Sequence, residues 1–298
     1  MRANFKNIKE KLIEDLLFIA AISSIVVILF IFIFLMKEGA FAFLENGVFN
    51  FIFGTKWRME TGTYGMAPLI IGSLLVTIGA VGFAIVLGIP SAIFLSELAP
   101  PRIGNILKPT VELLNSIPSI VYGFIGVVLL LTSLRDTFDM IDGHSFLAGS
   151  ILLGVMALPT IITISDDAIT AVPKDLREGS MALGATRWQT IRRVVLPSAI
   201  SGIMASILLA IGRVLGETMA IMLVVGCVAR FPSPFFNFFQ SGDTMTARIA
   251  SEMGEAARGS LQYHSLFGIG VLLLIIVTVL NVIADLIRVR IQKKVGRG

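Results

Sequence analysis

Two ionisable residues, Arg213 and Glu217, lie inside the apolar stretch Ile200–Val225, which has the length of a membrane-spanning helix. A central arginine costs about 2.5–3.5 kcal/mol on insertion scales, so intramembrane charges usually face a bundle interior or an aqueous path. Because the two positions are four residues apart, we predict that their side chains share one helix face and meet. Gly212 and Gly216 repeat the spacing, which predicts close approach of another helix.

The chemistry that this pair suits is the binding of an oxyanion. A guanidinium keeps its charge and donates two parallel hydrogen bonds, as a tetrahedral oxyanion requires. Two roles are open for Glu217: it neutralises Arg213 while the path is empty, or it accepts a hydrogen bond from a protonated oxyanion. A purely structural interpretation, in which the ion pair locks helix packing, is also open. We favour a transport path, since intramembrane ionisable residues typically mark one.

The elements that position this pair are transmembrane helices. Hydrophobic residues make up 55% of the 298 residues and charged residues only 15%, against about 25% in soluble domains. We therefore predict an all-α, polytopic membrane protein with six transmembrane helices. The predicted spans are Leu16–Met36, Leu69–Leu95, Leu113–Leu134, Phe146–Ile164, Ile200–Val225 and Leu266–Ile287.

The distribution of lysine and arginine sets the orientation. With six spans both termini lie on one side, and that side carries sixteen basic residues, in segments 1–15, 96–112, 165–198 and 288–298. The opposite side carries seven, in segments 37–66, 133–145 and 226–264. The positive-inside rule therefore predicts a multi-pass protein of the cell membrane with both termini cytoplasmic. The same rule explains the net charge of +4 without a nucleic-acid partner.

The cytoplasmic segment 165–198 is predicted to form a helix, a glycine turn and a second helix. Pro173 suits a helix start, and Gly184 is a natural helix stop. Thr186 and Gln189 have the spacing of a capping box that starts the second helix, and Pro197 marks the start of span five. The first helix either docks into a groove of another protein or lies among lipid headgroups.

Several classes of function lack their motifs in this sequence. There is no G-x-x-x-x-G-K-[ST] phosphate loop, so ATP hydrolysis is expected on a separate chain. G-x-S-x-G and H-E-x-x-H motifs are absent as well. Cys227 is the single cysteine, and His144 and His264 lack companion spacing. We expect no catalytic residue, no metal and no cofactor.

The segment Glu178–Gly184, followed by Leu196 and Pro197, reads EGSMALG and then LP, and it resembles the EAA loop of ABC-importer permeases. The resemblance implies the type I ABC-importer permease fold and a coupling helix that sits in a cleft of an ATPase. Its candidate coupling residues are Glu178, Leu183, Gly184, Leu196 and Pro197. Where the family usually has two alanines this chain has Gly179 and Ser180, which are still small.

The segment Gly212–Ala220, GRVLGETMA, is similar to the corresponding span of phosphate-importer permeases of the PstC type. Three further segments agree with that resemblance: Ile117–Gly123 (IPSIVYG), Leu95–Pro100 (LSELAP) and Thr246–Glu255 (TARIASEMGE). It implies that Arg213 and Glu217 line a phosphate pathway. The implied partners are a homologous PstA-like permease, a dimer of PstB-like ATP-binding subunits, a PstS-like external phosphate-binding protein and membrane lipid.

Alternatives remain open at this point. A related oxyanion such as molybdate or tungstate is the near one, and a self-contained ion channel or exchanger is the distant one. The outer segment 226–264 meets a substrate-delivery protein or forms only an aromatic interface belt. The predicted divisions are a cytoplasmic N-terminal segment 1–15, a first helix and outer loop 16–66, a permease domain 67–288 and a basic cytoplasmic tail 289–298.

Overall fold

The protein is almost entirely helical in the computed structural model, which describes residues 2–295; the end of the predicted tail, 296–298, lies outside the described residues. The helices are α1 (Arg2–Asn46), α2 (Val48–Phe53), α3 (Ala67–Ile93), α4 (Pro101–Asn115), α5 (Ser119–Ile125), α6 (Thr132–Phe138), α7 (Phe146–Thr170), α8 (Lys174–Ala182), α9 (Arg187–Thr190), α10 (Leu196–Gly216), α11 (Met219–Val224), α12 (Met245–Glu252) and α13 (Leu261–Val295). π-Helical turns at Phe94–Leu98, Gly126–Leu131 and Ile191–Val195 follow α3, α5 and α9, and two short antiparallel strands, β1 (Trp57–Arg58) and β2 (Thr63–Tyr64), lie in the first outer loop.

Six helical segments in the described part of the chain are long and apolar enough to cross a membrane. They are Glu10–Asn46, Ala67–Leu98, Ser119–Phe138, Phe146–Thr170, Arg187–Gly216 and Leu261–Ile283. The predicted all-α fold with six spans is therefore confirmed. Helix α1 runs without a break through the predicted boundary at residue 15, and the division into segments stays a prediction.

Helices α3 and α7 form the centre of the molecule because small residues let them lie close together. A Cβ atom at Gly79 would come 2.4 Å from Ser150 Oγ, and one at Gly88 would come 2.9 Å from Ile161 Cγ2. Helix α10 packs against both α7 and α3, and the hydroxyls of Ser165 on α7 and Ser206 on α10 lie 2.9 Å apart. The largest buried cluster lies among these three helices, α5 and α11, and a second one lies between α13 and the first outer loop.

Helix α1 packs beside α13 at the edge of this core. The two helices meet at Gly39, where a Cβ atom would come 2.6 Å from Val271 Cγ2, and His264 Nδ1 lies 3.1 Å from Glu38 Oε2. Towards its N-terminus α1 exposes nearly all of its apolar side chains, Leu17 and Phe30 among them. Exposed apolar surface on a helix of this length suits contact with hydrocarbon.

The third span begins later than predicted. Helix α4 continues to Asn115, and a new helix starts only at Ser119, so the predicted start at Leu113 is wrong. Pro118 explains the break, because proline has no backbone N–H to donate and disfavours helical backbone in the residue before it.

The fifth span is divided, although the sequence predicts one helix to Val225. Helix α10 ends at Gly216, Glu217 is extended (φ −69°, ψ 133°), and α11 starts at Met219. Two broken helices lie side by side here, since a Cβ atom at Gly123 in α5 would come 3.2 Å from Ala220 Cα in α11. The fifth span also begins at Arg187 rather than after Pro197, because a π-helical turn joins α9 to α10.

Candidate functional site

The cytoplasmic helix–turn–helix has the predicted form. Helix α8 ends at Ala182, and Gly184 adopts a left-handed conformation with φ 85°. The N–H of Gly184 donates to the Met181 carbonyl (2.9 Å) and that of Ala185 to the Ser180 carbonyl (3.3 Å), which is the Schellman pattern of a glycine-terminated helix. The prediction that Gly184 stops the helix is confirmed.

The predicted capping box at the start of α9 is also present. The N–H of Gln189 donates to Thr186 Oγ1 (3.3 Å), and the N–H of Thr186 donates to Gln189 Oε1 (2.9 Å). Helices α8 and α9 are joined by the hydroxyls of Ser180 and Thr190, 3.0 Å apart. Local rules therefore determine this hairpin-like segment.

The five candidate coupling residues fall into two groups. Glu178, Leu183 and Gly184 are exposed on α8 and its turn, and Leu183 is 91% exposed. Leu196 and Pro197, by contrast, are half-buried at the start of α10, and Leu196 packs against the apolar cluster that contains Ile169 and Val195. The exposed group alone offers a surface to another molecule, and the role of all five in coupling stays a prediction.

The sequence analysis missed the residues that attach α8 to the membrane helices. Arg177 donates from Nε (3.1 Å) and Nη2 (2.9 Å) to Glu97 Oε1, and from Nη2 to the Ile169 carbonyl (2.7 Å). Arg187 donates to the main-chain carbonyl of Glu97. The π-helical turn after α3 is therefore bound to both helices of the cytoplasmic segment. The available signal was the acidic Glu97 in the segment LSELAP and the basic residues Arg177 and Arg187 in the cytoplasmic segment 165–198.

Arg213 does not meet Glu217, and the predicted ion pair is wrong: the described residues include no salt bridge between them. Arg213 Nη1 donates instead to Asn115 Oδ1 and to Thr160 Oγ1, the latter at 3.1 Å. The four-residue spacing fails because the helix ends at Gly216, which turns Glu217 away from the helical path.

Glu217 connects the broken fifth span to the outer loop. Its Oε1 accepts the N–H of Ala220 (3.2 Å), which satisfies a donor in the first turn of α11, and its carbonyl accepts the hydroxyl of Thr246 (2.7 Å). Beside Glu217 lies a cavity with room for about one water molecule, lined in part by Ser73 and Thr77. Glu217 is thus held at the break by α11 and by the segment before α12.

Gly212 and Gly216 have open space beside them. A Cβ atom at either position meets no atom within 4 Å among the described residues. Within this chain the predicted close approach of another helix at these two glycines is therefore not formed. For a partner chain it stays a prediction.

The outer segment contains a buried charge cluster, centred on Arg248. Its guanidinium lies 2.5 Å from Asp243 Oδ2 and 2.6 Å from Glu252 Oε1. Glu252 also accepts hydrogen bonds from Trp57 Nε1 (3.0 Å) and Gln262 Nε2 (3.1 Å), so Trp57 is a buried structural residue of the first outer loop. Burial raises the pKa of Asp243 to about 6, against the opposing effect of Arg248.

The outer segment 226–264 contains one short helix among the described residues. Helix α12 spans Met245–Glu252, and the Thr244 hydroxyl accepts the N–H of Ala247 (3.3 Å) as its N-cap. No group of three or more His, Cys, Asp or Glu side chains in the described ranges is arranged to hold a metal ion.

Comparison with known proteins gives consistent matches. The family described as "binding-protein-dependent transport system inner membrane component" matches residues 84–297. The probable ABC transporter permease protein YqgH of Bacillus subtilis is 43% identical over 82% of this chain and 79% of its own length. The phosphate transport system permease proteins PstC of Mesorhizobium japonicum and Pasteurella multocida are 33% and 31% identical, over 87% and 90% of this chain and 84% and 90% of theirs.

Solved structures with similar folds belong to ABC transporters. A chain of the MetNI methionine ABC transporter, in inward-facing conformations, superposes with a TM-score of 0.58 at 21% identity, covering 74% of this chain and 93% of its own. A chain of a bacterial alginate ABC transporter, solved with a periplasmic protein bound to an alginate pentasaccharide, gives 0.64 at 17% identity and covers 93% and 95%. At these identities the likeness establishes the fold alone.

Proposed function

This chain belongs to the family of inner-membrane components of binding-protein-dependent transport systems, and from that premise we propose that it is the PstC-type permease of an ATP-driven inorganic phosphate importer. As a member of the family it is a multi-pass protein of the cell membrane. The substrate is supported by two PstC proteins at 31–33% identity over most of the chain. One structural observation carries the proposal: an arginine at two helix breaks has no carboxylate within salt-bridge distance among the described residues.

The breaks matter because backbone without helical hydrogen bonds is tolerated at membrane depth only where protein or water covers it. Arg213 lies between the break before Ser119 and the break after Gly216. No carboxylate of the described residues lies within salt-bridge distance of it, so we assign the counter-charge to an entering phosphate. We assign Glu217 to the same pathway as an acceptor for the protonated oxygen of a phosphate monoanion or dianion.

The remaining parts of the importer are proposed as separate chains. A homologous PstA-like permease completes the pathway, and a PstS-like phosphate-binding protein delivers the substrate from outside. A dimer of PstB-like subunits hydrolyses ATP and contacts α8 through Glu178, Leu183 and Gly184. The exposed apolar side chains of Leu176, Met181 and Leu183 support this docking. With both termini cytoplasmic, closure of the ATPases moves α8 and so reorients the spans.

Replacing Arg213 by Gln in the reconstituted complex tests the substrate pathway. Uptake of labelled phosphate into vesicles is expected to fall at least tenfold, because the oxyanion loses its charged partner; a tenfold loss corresponds to about 1.4 kcal/mol. Arg102→Gln, at an exposed position of α4, is the matched control and should transport normally. Unchanged uptake in Arg213→Gln removes this residue from the pathway. If the wild-type complex takes up labelled molybdate or tungstate but no labelled phosphate, the substrate is another oxyanion.

A further inference from the structure

Among the side chains that the structure describes, three arginines are buried or half-buried, and they differ in what balances their charge. Arg177 lies 2.9 Å from the Glu97 carboxylate, and Arg248 lies between two carboxylates. Arg213 has only neutral partners, the Asn115 amide oxygen and the Thr160 hydroxyl. The chain therefore pairs its structural arginines with acids and gives the pathway arginine two uncharged acceptors.

The partners of Arg213 also leave one edge of its guanidinium free. Nη1 carries two protons, and its two hydrogen bonds account for both. The protons on Nε and Nη2 have no acceptor among the described residues. Both atoms remain accessible, since neither is among the buried polar atoms that lack a hydrogen-bond partner. The free Nε–Nη2 edge offers the two parallel donors that bind an oxyanion in bidentate geometry.

Asn115 and Thr160 are themselves held by two different elements. Asn115 is the last residue of α4, and the Tyr122 hydroxyl donates to the carbonyl of Leu114 beside it (2.9 Å), which ties the end of α4 to α5. Thr160 belongs to α7, the central helix of the fold. The position of the guanidinium is therefore set by two different helices, α4 and α7.

We propose that Asn115 and Thr160 are positioning residues of the phosphate pathway: they bind Nη1, direct the Nε–Nη2 edge of Arg213 towards the substrate and leave its charge uncompensated. This inference rests on the proposed function of Arg213. The neutrality of the two acceptors is its essential part. A carboxylate in either place would hold the guanidinium equally well but would compete with the oxyanion for it.

Asn115→Asp is the decisive substitution, because aspartate has nearly the same size and keeps an acceptor oxygen while adding a charge. If Asn115 only stabilised the fold, this variant would transport normally. We expect the KM for phosphate in vesicles to rise at least tenfold, because the added carboxylate competes with phosphate for the guanidinium. Asn105→Asp, an exposed position on the same helix, is the matched control and should retain the wild-type KM.

Thr160→Val and Thr160→Ser give an independent measurement. Valine has the shape of threonine without the hydroxyl acceptor, so its KM should rise about threefold to tenfold; serine keeps the acceptor and should behave as wild type. If Asn115→Asp fails to assemble with its partners, this pair decides the matter, and equal KM values for valine and serine overturn the inference.

The failure of this inference is distinguishable from failure of the proposed function. A normal KM in Asn115→Asp, together with lost uptake in Arg213→Gln, overturns the positioning role and leaves phosphate import intact. If the wild-type complex carries no phosphate, the proposed substrate is wrong. The same variants are then assayed with labelled molybdate and labelled sulfate. If Asn115→Asp takes up the transported anion as well as the wild type does, the inference is overturned for that anion too.

Discussion

At the scale of single residues, Asp243 shows how burial changes a side chain in the outer segment. Its carboxylate is fully withdrawn from solvent and forms a salt bridge with Arg248. Arg248 also forms a salt bridge with Glu252. Two acids and one arginine leave one excess negative charge in a buried place, and protonation of one acid removes it. The pKa of Asp243 is raised to about 6 first by the loss of hydration on burial, and the negative charge of Glu252 adds to it against the opposing effect of Arg248.

The stability of the outer segment should therefore depend on pH. An exposed Asp titrates near 3.8, so between pH 3.8 and 6 the folded protein holds a proton that the unfolded chain has lost. As the pH rises through that window, this group lowers the free energy of unfolding by about 3 kcal/mol in all. Above the window its contribution is constant. When the pH is lowered from 7.5 to 5, the Tm of the solubilised wild-type protein should therefore rise relative to the Tm of the Asp243→Asn variant.

The matched control is Asp136→Asn, which changes an exposed carboxyl on the same side of the membrane and should follow the wild-type profile. Parallel Tm profiles for the wild type and Asp243→Asn would contradict the raised pKa. Fluorescence of Trp57, whose Nε1 binds Glu252, reports unfolding at the cluster itself.

At the scale of elements, the cytoplasmic segment combines local and tertiary determinants. Gly184 terminates α8, and Thr186 and Gln189 start α9 through patterns that are visible within a few residues. Arg177 then fixes α8 to Glu97 after α3, which links the exposed surface to a central helix. We therefore expect a movement of α8 to be transmitted through Glu97 to the core of the membrane domain.

Gly184→Ala should weaken binding of the ATP-binding subunit, because alanine disfavours the left-handed conformation by about 1–2 kcal/mol and so disturbs the turn. We expect about a fivefold to thirtyfold loss of affinity in a pull-down with the solubilised permease, with normal membrane insertion. Gly179→Ala is the matched control: the same change in the interior of α8, at a position with open space, favours the helix and should bind normally. Equal binding by the two variants would count against the role of the turn in docking.

At the scale of the whole molecule, the number of spans and the arrangement of charge determine how the chain sits in the bilayer. Six candidate spans place α8 and α9 on the side of the termini and the β1–β2 hairpin on the opposite side. The excess of basic residues on the first side predicts that it is cytoplasmic. This orientation predicts that the Arg248 cluster lies at the outer face and the exposed surface of α8 at the inner one.

Cysteine labelling in intact cells tests this orientation, since Cys227 is the single native cysteine and Cys227→Ala supplies a background. A membrane-impermeant maleimide should label Thr61→Cys in the first outer loop and leave Lys174→Cys unlabelled. Both positions are exposed in the structure, and both should react after permeabilisation. Labelling of Lys174→Cys in intact cells would invert the predicted orientation.

The sequence alone determined the six-span class, the charge asymmetry and the helix–glycine–helix segment. Each follows from hydrocarbon thickness or from hydrogen bonds between residues a few positions apart. These features need no knowledge of the neighbours in space.

Only the tertiary structure decided what each buried charge meets. Arg213 binds Asn115, 98 positions away, and Thr160, 53 positions away, rather than the glutamate one helical turn along. The prediction from four-residue spacing fails at that point because it assumes an unbroken helix. Whether the helix breaks at Gly216 depends on what packs around it and on which groups form hydrogen bonds with the freed backbone. The contacts of α8 with Glu97 and the cluster around Arg248 likewise join segments that are distant in the chain, and helix packing alone brings them together.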